Sequence, residues 1–143
     1  MNQLPALAYL HPIWQAGTLV FGLYIAARAL PHIGDINFGA RRHERQGRLF
    51  LVLVLAGVIF GKFVSASLSA GTFSIPGHSF LALLIVGLVI AGAIFGYQGG
   101  RLRLRVRTGM MQLHPWLIVL ALALMLAQAL MGIGNRGLRL IRF

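Results

Sequence analysis

Four apolar runs, at positions 9–30, 48–68, 78–98 and 113–133, each close to the ~20 residues that carry a helix across ~30 Å of hydrocarbon, constrain this chain more than any other feature. Lipid offers no hydrogen bonds, so a spanning segment must satisfy its own backbone, and continuous apolar runs do so as helices. A barrel strand would alternate instead. Of the 143 residues 58% are hydrophobic and only 10% charged, against roughly a quarter charged in a soluble domain, so little chain remains outside the bilayer. The expected fold class is all-α: an integral membrane four-helix up-down-up-down bundle, one transmembrane domain over 1–143, with a second helix that can begin as early as residue 40. Residues 1–8 carry no basic residue, so the first run reads as a permanent span and not as a cleavable leader.

The charges are asymmetric. The net charge is +11, a value that would point to nucleic acid in a soluble protein, but here the arginines stand between apolar runs and read as topology signals, with no nucleic acid expected. Arg28, Arg41, Arg42, Arg45 and Arg48 flank the first connection and Arg101, Arg103, Arg105 and Arg107 fill the third, whereas residues 69–77 carry no charge. The positive-inside rule makes both basic connections cytoplasmic, which leaves the N-terminus and C-terminus outside, in what reads as a bacterial inner membrane. Arg136, Arg139 and Arg142 in the tail oppose this assignment and are outnumbered. The alternating 101–107 run reads as a strip on anionic lipid headgroups. With no cysteine, disulfides, thiolate metal sites, iron–sulfur clusters and c-type haem attachment are all excluded.

The histidines carry the functional signal. His11, His43, His78 and His114 each stand at the N-terminal end of a different span. In an alternating bundle the first and third helices lie diagonally, as do the second and fourth. His11 and His78 therefore fall at the outer level and His43 and His114 at the inner level, each pair facing across the core. Two such pairs are what two bis-histidine b-type haems require. A single histidine at a helix end is commonly an interface residue; it is the joint placement that favours ligation.

A porphyrin also needs room beside the helices that do not ligate it. Positions 14 and 18 beyond a histidine return to its helical face, about 21 and 27 Å along the axis. From His43 these are Gly57 and Gly61; from His78, Gly92 and Gly96; from His114, Gln128 and Gly132. Helix 1 fits less well, with Ile25 and Ala29 there and Gly22 a turn earlier. Helix packing is the plain alternative for any one glycine. His11 and His114 share a Leu-His-Pro tripeptide, with Trp14 and Trp116 close behind, and the prolines suit a first helical turn. His32 reads as an interfacial residue and as the reserve inner ligand should His43 prove too exposed. Arg41 and Arg45, with their neighbours, are candidates for inner propionates. Lys62, inside the second span, is a candidate for an outer propionate or an anionic substrate, with snorkelling as its alternative.

The four histidines, the Leu-His-Pro starts, the segment His43-Glu44-Arg45-Gln46-Gly47 and the helix-end glycines make the chain resemble a minimal member of the cytochrome b561 superfamily over most of residues 9–134. The resemblance implies two haem b groups, one histidine from each helix, and electron passage across the membrane from ascorbate or quinols to acceptors such as ferric compounds. The additional helices of many members are absent, so their substrate sites do not carry over. The expected function is a dihaem transmembrane electron-transfer protein, an oxidoreductase in that sense, with haem centres about 20 Å apart along the axis. Its expected partner is membrane lipid; the sequence identifies neither the redox donor nor the acceptor, a quinol or other small reductant being one option for the donor and a homodimer or larger complex one option for the assembly. The alternatives are a cofactor-free membrane scaffold or accessory subunit and a chlorin-binding protein.

Overall fold

A computed structural model of the protein describes residues 7–33, 40–68, 76–101 and 104–140. Among the described residues the chain forms four helices: α1 (Leu7–Ala29), α2 (Ala40–Leu68), α3 (Pro76–Arg101) and α4 (Leu104–Leu140), with a 3-10 turn at Leu30–His32 after α1. All four are long and apolar enough to cross a membrane. Each helix packs on its neighbour in sequence, and α1 closes the ring against α4, which gives the up-down-up-down bundle; α3 and α4 pack most extensively.

The core lies midway along the bundle, where Leu19 and Ile25 of α1, Phe50 and Val54 of α2, Ile85 and Val89 of α3, and Ala121, Leu122 and Met125 of α4 are buried together. Outside it, large apolar side chains such as Ile13, Val20, Ile59, Leu83 and Trp116 are exposed. Only 17–22% of each spanning window is buried inside the protein, so most of the apolar surface has lipid as its solvent. The integral membrane reading follows from that distribution.

The helices outrun the apolar spans. Helix α2 begins at Ala40 and α4 at Leu104, so most of the expected third connection is helical. Hydropathy marks where lipid begins, whereas a helix continues for as long as its backbone bonds do. Pro12 and Pro115 consequently lie inside α1 and α4 and not in a first turn. Each removes one backbone donor, and each is placed toward the end of an apolar span, where carbonyls can find other partners. Arg28 in the last turn of α1 complements the helix dipole and donates from Nη1 to the Tyr24 hydroxyl at 3.0 Å. The 3-10 turn closes where the Ile33 amide donates to the Leu30 carbonyl.

The bundle repeats itself. An offset of 35 residues carries His43, Phe50, Val54, Gly57 and Gly61 of α2 onto His78, Ile85, Val89, Gly92 and Gly96 of α3, and the four apolar positions Phe50, Val54, Ile85 and Val89 are all buried in the core. An offset of 103 carries Leu10-His11-Pro12 of α1 onto Leu113-His114-Pro115 of α4. Exchange of α1 with α4 and of α2 with α3 therefore superposes one end of the bundle's parts on the other.

Candidate functional site

The structure brings the histidines together in diagonal pairs, one at each end of the bundle. The His11 and His78 rings lie 6.5 Å apart between centroids and are inclined at 74°. The His43 and His114 rings lie 5.8 Å apart at 88°. All four are half-buried. His32 is exposed in the turn after α1, and it is His43 that faces His114.

Both ends are assembled by the same contact, a Leu-His-Pro helix laid on a Gly-x-x-x-Gly helix. A Cβ added to Gly61 would lie 2.6 Å from Cε1 of His11, and one added to Gly96 would lie 2.9 Å from Nδ1 of His114. One turn along, Gly57 abuts Gln15 and Trp14 of α1, and Gly92 abuts Ile118 of α4. Absence of a side chain at Gly61 and Gly96 lets each imidazole lie against the partner helix backbone. Gly132 lies on α4, but its surroundings are outside the described residues.

Ring N–H groups anchor these helices to backbone carbonyls. Nδ1 of His114 lies 2.7 Å from the carbonyl oxygen of Gly92. A carbonyl only accepts, so Nδ1 is the donor in this contact. On the other side of the bundle the indole Nε1 of Trp14 donates to the Leu53 carbonyl at 3.0 Å, across the gap that Gly57 leaves. Thr18, buried in α1, donates from its hydroxyl to the Trp14 carbonyl at 2.9 Å. His11 also packs against Phe60, at 6.2 Å between centroids. Beside it an open apolar groove of about 420 Å³ runs between α1 and α2, lined by Leu10, Ile13, Trp14, Ala56 and Phe60.

Two side chains at the site were not singled out as candidates from sequence. Gln128 of α4 reaches His78 of α3: its Nε2 donates to the His78 carbonyl at 3.1 Å and lies 3.3 Å from both ring nitrogens. The rule that returns from His114 to its own face does reach Gln128, but only as a slot for a small residue. Trp14 carried a signal solely through its closeness to His11.

The basic residues lie at the rim. Arg41 and Arg45 are exposed and stand two residues on either side of His43, roughly 200° around α2 from it, so an anionic group would reach them only at the edge of the bundle. Arg48 pairs with Glu44 one turn before it. Lys62 is exposed next to Gly61, at the His11–His78 end.

Among the described residues no three or more His, Cys, Asp or Glu side chains converge. Paired imidazoles suit a haem. An imidazole nitrogen binds a metal at about 2 Å, which puts the centroids of two opposed ligand rings roughly 6 Å apart, and the two observed spacings, 6.5 and 5.8 Å, match that requirement. The space that a side chain at Gly61 or Gly96 would take is filled by the His11 and His114 rings themselves, which brings each imidazole into its pair. The residues present fit such a group. Compared with protein-family models, curated proteins and solved structures, the chain matches none.

Proposed function

We propose that the chain is a b-type dihaem membrane protein that moves electrons between the two faces of a bilayer. The observation that carries the reading is the recurrence of one paired-imidazole geometry at both ends of a membrane-spanning bundle, with Nδ1 of His114 donating to the Gly92 carbonyl. When bound, each haem supplies a one-electron ferric–ferrous couple.

The chain's own residues do the rest. His11 with His78, and His43 with His114, would each hold one haem by two imidazoles, a donor set that would leave no position for oxygen or peroxide and would favour outer-sphere transfer. The Gly92 carbonyl orients His114 through its Nδ1–H and raises the basicity of the ligating nitrogen. Gly61 and Gly96 admit the His11 and His114 rings against the facing helices, as Gly57 and Gly92 admit Trp14 and Ile118 one turn along; Gly132 belongs to the same set by spacing alone. Arg41, Arg45 and Lys62 serve at the rim, where propionates and lipid phosphates are both in reach. With the arginine-rich connections on the cytoplasmic side of a bacterial inner membrane, His43–His114 is the inner pair and both termini are outside. A quinol or other small reductant is a fitting donor, and a homodimer or larger complex a fitting assembly.

The test is the absorption spectrum of the purified chain, with its haem content by pyridine haemochromogen. Two haems per chain, low-spin and reducible, is the expected result. A colourless protein that is folded in detergent overturns the proposal and leaves a packed scaffold; a chlorin spectrum replaces haem with another tetrapyrrole on the same histidines.

A further inference from the structure

The exchange of α1 with α4 that relates the two ends breaks down at one informative position. The offset that carries His11 onto His114 carries Ile25 onto Gln128. Ile25 is buried in the apolar core, whereas Gln128 is half-buried with its amide against His78, 3.1 Å from the carbonyl and 3.3 Å from each ring nitrogen. A primary amide inside an apolar bundle is costly unless it is hydrogen-bonded. His78 is the partner that satisfies this one, on a helix 50 residues away in sequence.

We propose that Gln128 is the positioning residue of the His11–His78 end: it fixes the rotation of the His78 imidazole and tunes the iron bound there. This rests on the haem reading above. Iron on Nε2 leaves the proton on Nδ1, and that proton needs an acceptor. Gln128 supplies it when its amide swings off the His78 carbonyl, giving up the Nε2 hydrogen bond there while that carbonyl keeps its partner within α3, and turns Oε1 to Nδ1. An accepting oxygen makes the imidazole more electron-donating, which favours the ferric state. His114 takes the same support from the main-chain carbonyl of Gly92, which a side-chain substitution cannot remove. The His11–His78 end is therefore the one whose potential a single side chain sets.

Three forms of the full chain in detergent decide the matter: wild type, Gln128→Leu and Gln128→Glu. Potentiometric titration should show the midpoint of one haem raised by Leu and lowered by Glu, while the other haem is unchanged. The Leu effect is expected to be about tenfold in the reduction equilibrium, or 59 mV for one electron. His78→Ala identifies the affected haem by its loss. A purely structural role would move the midpoint the same way, or not at all, in both variants, and that result overturns the proposal while wild type still holds two haems. The second measurement needs no haem. With 15N-histidine labelling of haem-free protein, Gln128→Leu should shift the side-chain resonances that His78→Ala abolishes, and leave those of His43 and His114 in place. Unchanged His78 resonances overturn the positioning role. A wild type that binds no haem overturns the tuning role together with the reading beneath it.

Discussion

The two ends of the bundle share a construction plan and differ in what holds their histidines. At the His43–His114 end the histidine of the Leu-His-Pro helix donates to the Gly92 carbonyl itself. At the His11–His78 end the ring that reaches a backbone carbonyl is the neighbouring indole of Trp14, on Leu53, and the second histidine leans on the side-chain amide of Gln128. Main chain orients a histidine at one end, and side chains play the larger part at the other. A carbonyl inside a helix keeps its place for as long as the helix stands. An amide or an indole can be replaced by one substitution, so the two ends should differ in their sensitivity to mutation even though their ring geometries are alike.

The largest effects come from the histidines. His11→Ala and His78→Ala should each remove the same haem and halve the haem content, while His43→Ala and His114→Ala remove the other; spectra of the four single and two paired variants check this. If His11→Ala and His114→Ala depleted one shared haem, the two ends would not be separate sites. Next come the glycines against which the rings lie. Gly61→Val should expel the haem of the His11–His78 end and Gly96→Val that of the other, each with roughly 1–3 kcal/mol lost to overpacking, read as haem occupancy and as unfolding in detergent. Equal loss from both ends in either variant would show that the glycines serve packing of the whole bundle and not their own site.

A smaller effect separates the two anchors. Trp14→Phe keeps the ring and removes the donor to Leu53, so unfolding should shift by about 0.5–1.5 kcal/mol, with haem retention reduced at the His11–His78 end alone. The smallest belongs to the rim. Glu44 and Arg48 are one turn apart with exposed side chains, and Glu44→Gln should change stability by no more than about 0.5 kcal/mol without altering either haem. A large effect there would give the inner rim a part in the site that its exposure does not suggest.

Much of this arrangement was legible from residue spacing. A histidine at the start of each apolar run, combined with alternating helix direction, gives diagonal pairs at two levels, and in the structure the rings meet in those pairs. The turn count along a helix likewise led from His43 to Gly61, which proves to lie under His11, and from His78 to Gly96, which lies under His114. Spacing failed where a side-chain torsion decides the partner. Gln128 falls on the face that spacing marks, yet whether its amide folds back along α4 or crosses to His78 depends on the distance between two helices. The start of α4 was missed for another reason: apolar runs report the bilayer, and α4 extends past it, whereas the start of α2 at Ala40 agrees with the early start expected.

By itself, the order of residues along this chain determined the membrane solvent, the number of spans, the ring of neighbours and the level at which each histidine stands, because helical rise and lipid thickness leave few other arrangements. Only the tertiary structure decided how closely the imidazoles approach, that His114 reaches the Gly92 carbonyl, and that Gln128 crosses to His78. Those outcomes depend on contacts between helices a few ångströms apart, and that distance is set by the packing of all four at once.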